Sequence, residues 1–250
     1  MALTVLVTGA TAGFGEAIAR RFVKDGHRVI ATGRRKDRLD MLHAELGDAL
    51  LPFAMDVTDK AAAAALPGSL PQGWQEVDVL VNNAGLALGT SLAQDCKVDD
   101  WDTMIATNIS GLVRMTHALV PGMVARDRGH IVNLGSTAGF YPYPGGNVYG
   151  STKAFVTHFS LNLKADLVGT GVRVTDVEPG LVGGSEFSAV RMGDKAKADA
   201  VYAGTTPLNP GDIAETVAWV VGLPAHVNIN TIEMMPTCQA PGPLTIKRRT

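Results

Sequence analysis

Cysteine is almost missing from this chain of 250 residues: only Cys96 and Cys238 occur, far apart and in no CxxC or Cys/His cluster. That argues against a disulfide scaffold and against a structural zinc site. Long apolar runs are missing too. No stretch reaches about 18 consecutive apolar residues, so no membrane span is expected. The start, "MALTVLVTGATAGFGEA", has neither a basic segment nor a long apolar core and does not read as a signal peptide. Charge of one sign is not in excess. The 22 basic and 24 acidic residues leave a net charge of −2, which gives no reason to expect nucleic acid or an anionic membrane as partner. The six histidines share no ligand spacing, so no metal is expected. His130 and His226 are read as structural residues in or near the sheet edges. These absences leave a reducing cytoplasm as the simplest setting. A chain 46% hydrophobic and 18% charged suits one globular domain spanning residues 1–250.

What is present is alternation of short β-branched runs with longer amphipathic segments. Strands are expected at 3–9, 27–33, 49–57, 77–85, 129–136, 171–180 and 229–235. Pro52 fits an edge strand or a strand beginning. Helices are expected at 14–25, 36–46, 99–126, 148–168 and 209–221, with Pro121 bending the third of these or marking its last turns. Repeated strand–helix alternation predicts an α/β fold: a Rossmann-type, doubly wound parallel sheet with helices on both faces. The non-periodic stretch at about 180–208 is read as a substrate loop or lid, with Lys195 and Lys197 as solvated loop charges. The tail at 238–250 is read as disordered or docked on a neighbouring subunit.

"TGATAGFG" (8–15) follows the first strand and opens the first helix. Its glycines are spaced G-xxx-G-x-G: Gly9 for a tight turn, Gly13 for backbone approach to a pyrophosphate, Gly15 for close helix–strand packing. The amides opening the helix then face phosphate. No Gly-Lys-Ser/Thr follows, which excludes a P-loop. After the second strand come Arg34 and Arg35, with no carboxylate before Asp37. Arginine complements a 2′-phosphate that a carboxylate would repel, so NADP(H) is favoured over NAD(H). Asp56 is placed for the adenine amino group and "NNAG" (82–85) for the adenosine ribose and support of the sheet, although ordinary turn chemistry accounts for each equally.

Tyr149 and Lys153 are four positions apart, about one helical turn, so a phenol and an ammonium share a face. Alone, the pair does not separate packing on an amphipathic helix from a base with the group that tunes it, and such pairs arise by chance in many helices. A free tyrosine has a pKa near ~10. A lysine ammonium about 4 Å away in a partly shielded site contributes roughly 4 kcal/mol, enough to bring the phenol near neutrality. Ser136 is expected at the C-terminal edge of the fifth strand, where ligands bind in open α/β sheets.

Taken together, "TGATAGFG", "NNAG", Asn108, "GSTAG" (135–139), "YGSTK" (149–153) and "EPG" (178–180) resemble the short-chain dehydrogenase/reductase family, in order and over nearly the whole chain. The resemblance implies about seven strands and a homotetramer. It implies Tyr149 as catalytic base or acid, Lys153 as its partner, Ser136 as the oxygen-binding hydroxyl, and Asn108 as the fourth member, acting by bending its helix or binding a water leading to Lys153. It extends the cofactor contacts to Thr11, Ala12, Phe14, Val57, Asn83, Ala84, Gly85, Tyr149, Lys153, Pro179, Gly180 and Val182. Longer phrases such as "GSTAGFYPYPGGNVYGSTKAF" look closest to the branch of NADP-dependent 3-hydroxy acid dehydrogenases acting on serine, allo-threonine or 3-hydroxypropionate. Sulfoacetaldehyde reductases share much of that vocabulary. A hydroxy acid or semialdehyde needs a cation for its acid group, and Arg191 is the candidate. Gly145 and Asn147, just before Tyr149, are candidate pocket residues. An alternative of another class is an NADP(H)-sensing regulator without turnover, although such proteins often lose the Tyr or Lys that this chain keeps.

Overall fold

The computed structural model describes residues 2–242. Seven strands, β1 (Thr4–Val7), β2 (Arg28–Gly33), β3 (Leu50–Ala54), β4 (Val79–Asn82), β5 (Gly129–Leu134), β6 (Val172–Pro179) and β7 (Thr231–Met234), form one sheet in the order β3-β2-β1-β4-β5-β6-β7. Every pairing is parallel. The order reverses between β1 and β4, and the crevice outside their carboxyl ends is where doubly wound sheets bind ligands. Pro52 sits inside β3, which is an edge strand, so its missing N–H costs no ladder bond on the open side.

One face of the sheet is covered by α1 (Gly13–Lys24), α2 (Lys36–Leu46) and α9 (Pro210–Val221), numbered in chain order. Their apolar stripes, including Ile18, Phe22, Leu39, Ile213 and Val217, are buried against Val5, Val7 and Val29. The other face carries α3 (Lys60–Ser69), α4 (Val98–Ile105), α5 (Leu112–Ala125) and α6 (Asn147–Asp166), with Leu66, Met115, Leu119 and Met123 packed on Leu6, Ile30, Leu80 and Ile131. Side chains alternate across a strand, so Val5 and Leu6 serve opposite layers. Two further helices, α7 (Phe187–Met192) and α8 (Lys195–Tyr202), lie in the stretch expected to be a loop. Asp194 caps α8 by accepting from Ala196 N and Lys197 N, and the exposed Lys195 pairs with Asp199.

Two elements differ from expectation. The α3 helix is absent from the sequence-based reading, yet Asp59 caps it, accepting from Ala61 N at 2.8 Å and Ala62 N at 3.0 Å ahead of an alanine run. The helix expected from 99 to 126 is α4 and α5 joined by a π-helical segment, Ala106–Gly111, that contains Asn108. Pro121 falls in the last turns of α5. His130 is a fully buried residue of the inner strand β5, its Nε2 2.9 Å from Thr175 Oγ1, rather than an edge residue. The tail is described to Gly242, and this part packs on its own chain: Gln239 Oε1 accepts from Leu181 N at 2.7 Å. Residues 243–250 of the tail lie outside the described residues. Among the described residues no helix is long and apolar enough to cross a membrane.

Candidate active site

The carboxyl ends of the strands open into two adjoining cavities of about 410 Å³ each, which share Phe14, Gly135, Tyr149, Ser185 and Phe187. The first runs from the glycine loop to the end of β2. Gly9, Thr11, Ala12, Gly13, Phe14, Arg34, Arg35, Asp56, Val57, Asn83, Ala84, Gly85, Tyr149 and Lys153 all line it. Gly13 has φ +56°, a conformation that a side chain disfavours. Gly15 lines neither cavity; a Cβ there would stand 2.4 Å from the Gly9 carbonyl oxygen, so its hydrogen lets α1 close onto the loop. Asn83 donates to Thr8 O at 2.8 Å and Gly9 O at 3.2 Å, while Thr8 Oγ1 accepts from the amides of Asn83 and Ala84. The "NNAG" turn therefore braces the glycine loop, and Asn82 is turned inward to Thr116 and Asn133.

At the far end of this cleft Arg34 is largely exposed, with Nη1 4.0 Å from Asp56 Oδ2. Burial pushes the Asp56 carboxyl up, but the two Thr58 bonds and the Arg34 charge outweigh it and hold the group below its ordinary range. Arg35 donates to Thr11 and makes a 2.9 Å ion pair with Glu186, a residue that sequence reasoning passed over. That pair ties the end of β2 to the start of α7. No local pattern announced it, because the partners are 151 positions apart.

The second cavity holds Ser136, Tyr149 and Arg191 together. Pro179, Gly180 and Val182, expected against the cofactor, line this cavity, which adjoins the first. Ser136 Oγ accepts from Ala138 N at 3.1 Å and lies close enough to the Tyr149 phenol to favour its ionised form. Phe187 packs against Tyr149 with ring centroids 5.8 Å apart. The Arg191 guanidinium lies 5.4 Å from the ring centroids of both Tyr149 and Tyr143. It donates through Nε to Gly89 O and through Nη2 to Gly145 O, each at 3.2 Å. Gly145 and Asn147 line neither cavity. The first supplies the carbonyl under Arg191; the second opens α6 and donates to Ser91 O and Cys96 Sγ.

Lys153 and Tyr149 share one face of α6, and the ammonium is 5.9 Å from the phenol ring centroid. In this geometry burial outweighs the tuning expected of Lys153. Burial pushes Tyr149 up to about 12, opposed by Ser136 and the Arg191 charge. Burial pushes Lys153 down to about 8, opposed by Asp176. The ammonium instead donates to Leu134 O at 2.6 Å. Asn108 is buried: its Oδ1 accepts from Leu86 N, and its Nδ2 donates to Leu86 O at 2.9 Å and Thr152 Oγ1 at 3.0 Å. The π-helical segment aims this amide at the loop after β4, beside Gly85.

Residues 3–194 match the short chain dehydrogenase family. An NADP-dependent 3-hydroxy acid dehydrogenase of Salmonella typhi is 62% identical over 247 residues, 98% of this chain and 100% of that protein. A serine 3-dehydrogenase of Agrobacterium fabrum is 52% identical over 241 residues, 96% of each. A solved closed form of serine dehydrogenase complexed with NADP+ superposes with a TM-score of 0.95 at 60% identity, covering 99% of this chain and 100% of that one. With the glycine loop, the seven-stranded sheet and the Ser136–Tyr149–Lys153 cluster on the same scaffold, the chain belongs to the short chain dehydrogenase family.

Proposed function

We propose that the chain is an NADP-dependent oxidoreductase interconverting a 3-hydroxy acid, of the serine, allo-threonine or 3-hydroxypropionate type, with its 3-oxo acid or semialdehyde. The cleft fits the cofactor: a bare glycine loop faces its middle and two arginines without a β2 carboxylate stand at its end. The bound nicotinamide supplies the hydride acceptor in oxidation and the donor in reduction. Tyr149 takes the hydroxyl proton in oxidation and returns it in reduction. Its phenol is the ionisable group shared by both cavities. Ser136 holds the substrate oxygen and favours the phenolate. Lys153, anchored on Leu134 O, adds positive charge behind the phenol and a donor toward the cofactor cleft. Asn108 fixes the Leu86 backbone and Thr152, holding the wall of the cleft.

The observation that carries the acid reading is Arg191. A guanidinium has five donor N–H groups, and only two are spent on Gly89 and Gly145. The rest are free for a carboxylate in the cavity that holds Ser136 and Tyr149. The substrate lid is the stretch 180–208, and the whole chain acts as one oxidoreductase domain in a reducing cytoplasm, a setting consistent with free Cys96 and Cys238. A homotetramer is supported by exposed apolar side chains: Ile105, Phe155 and Leu161 on α4 and α6, and Trp219 on α9.

Arg191→Ala tests the anchor. We expect KM for hydroxy acids to rise about tenfold or more, since a charged hydrogen bond contributes about 1.5–3 kcal/mol, while kcat/KM for uncharged alcohols changes far less. An equal loss on charged and neutral substrates removes Arg191 from this role.

A further inference from the structure

The face of β6 toward α5 and α6 starts as an apolar face, with Val172 and Val174 in the core. Period-two alternation places Asp176 and Glu178 next on that face, 0% and 1% exposed. Two carboxyls stand where packing alone calls for valine or isoleucine. Thr157, one turn beyond Lys153 on α6, donates to Glu178 Oε1 at 2.7 Å. Neither Asp176 oxygen has a hydrogen-bond partner that meets ordinary geometry. The neighbouring Asn133 amide does not help, since it donates to Ser160 Oγ and its oxygen accepts from Asn82. The chain makes room for the Asp176 carboxylate in a specific way: a Cβ on Gly135 would meet its Oδ1 at 2.4 Å. The carbonyl just before Gly135, on Leu134, is the one that accepts from Lys153 Nζ at 2.6 Å. The ammonium and the carboxylate thus bear on the same peptide unit.

We propose that Asp176 and Glu178 share a single proton, and that the one negative charge left on the pair is the counter-charge that keeps Lys153 an ammonium held on Leu134 O. Asp176 is then a positioning residue acting through Lys153, and the inference rests on the reading of Tyr149 and Lys153 given above. Two buried carboxyls in contact do not both ionise, and an unpaired buried ammonium loses its proton. Burial raises both carboxyls; contact with Glu178 and Thr157, then the Lys153 charge, pull Asp176 back down, while Thr157 opposes the rise of Glu178 and the Asp176 charge and Glu233 on β7 drive it higher. The charge therefore resides on Asp176 and the proton on Glu178. Around the phenol the other ionisable groups are Tyr143 and Arg191, and Arg191 opposes the upward push of burial.

The sign follows. Without the Asp176 charge, Lys153 is neutral over a wider range, less positive charge stands behind Tyr149, and the phenol ionises at higher pH. For Asp176→Asn we expect the acidic limb of kcat/KM for hydroxy acid oxidation, at saturating NADP+, to move up by about one pH unit. At neutral pH the rate falls about tenfold, and part of it returns at higher pH. Ser160→Ala removes an uncharged buried contact of the same helix, and its profile should stay in place whatever it does to stability. A profile for Asp176→Asn that superimposes on wild type, or a loss equal at every pH, overturns the proposal. Should Asp176→Asn fail to fold, infrared spectroscopy decides on soluble protein. Wild type at neutral pH should show a protonated carboxyl band that Glu178→Gln lacks, and wild type without that band overturns the proposal. A wild-type protein that shows the band but turns over no hydroxy acid refutes the functional reading and leaves the carboxyl pair standing.

Discussion

His130 and Lys153 are both buried ionisable groups, and their surroundings treat them differently. Lys153 has Asp176 to oppose desolvation and is pushed down only to about 8. His130 has no carboxylate: burial, then the Arg173 charge, pushes it down to about 3 from an ordinary 6.5. Its tautomer is readable from the bonds. Thr175 Oγ1 spends its proton on Ile229 O, so His130 Nε2 donates to Thr175 and Nδ1 is left without a partner. The folded pKa lies below the unfolded one, so the unfolded chain takes a proton first as pH falls. Stability from this residue is fully present above about pH 6.5 and is lost toward pH 3, at up to about 1.4 kcal/mol per pH unit. Asp176 and Glu178, both pushed up, work in the opposite direction, so the test compares a variant with wild type. Between neutral pH and pH 4.5 the urea midpoint should fall more for wild type than for His130→Gln; equal falls would refute the assignment. Most site residues could be read from the sequence because type and spacing carry the chemistry: Tyr149 and Lys153 sit one turn apart, and Arg34 and Arg35 stand after β2. Glu186 and Phe187 could not, because their partners are brought by the fold from across the chain.

At the scale of elements, the helices legible in the sequence are those with sustained apolar periodicity, and among them α9 also carries a strong start signal. Asn209 opens α9 with a reciprocal pair: its side chain accepts from Gly211 N at 2.8 Å and Asp212 N at 3.3 Å, while Asp212 Oδ2 accepts from Asn209 N at 2.8 Å. Pro210 at the first position fixes the helical φ. Because α9 covers the sheet beside α1, its cap bears on global stability. Asn209→Ala should cost about 1 kcal/mol, a fall in Tm of about 2–4 °C for a chain of this size. An unchanged melting curve would show that the cap is dispensable. The same kind of signal, Asp59 ahead of an alanine run, was present for α3 and was passed over in favour of apolar periodicity. The π-helical segment had no such signal: its reason is the contact between Asn108 and Leu86, 22 positions away. The α7 and α8 helices are too short for periodicity to register, and their local marks are the left-handed Gly193 that ends α7 and the Asp194 that caps α8.

At the scale of the molecule, the strand order places the glycine loop, the "NNAG" turn and the β5 end side by side, and the stretch 180–208 crosses in front of them. That stretch is fastened at its base by Gly183 N donating to Leu208 O at 2.8 Å and by Tyr202 donating to Val182 O at 2.9 Å. At its tip the Arg35–Glu186 pair reaches the nucleotide end, while Arg191 reaches the Ser136–Tyr149 end. One segment thus touches both cavities, as the proposed joint handling of cofactor and substrate acid group requires. The central claim is hydride exchange between NADP(H) and a 3-hydroxy acid at Tyr149. It is tested most directly by following reduced nicotinamide as the purified protein meets NADP+ or NAD+ with serine, allo-threonine, 3-hydroxypropionate, sulfoacetaldehyde (with NADPH) and a neutral alcohol. The account predicts turnover of the hydroxy acids, preference for NADP+, and loss of about a hundredfold or more in Tyr149→Phe. Turnover confined to neutral substrates, or undiminished in Tyr149→Phe, would contradict it.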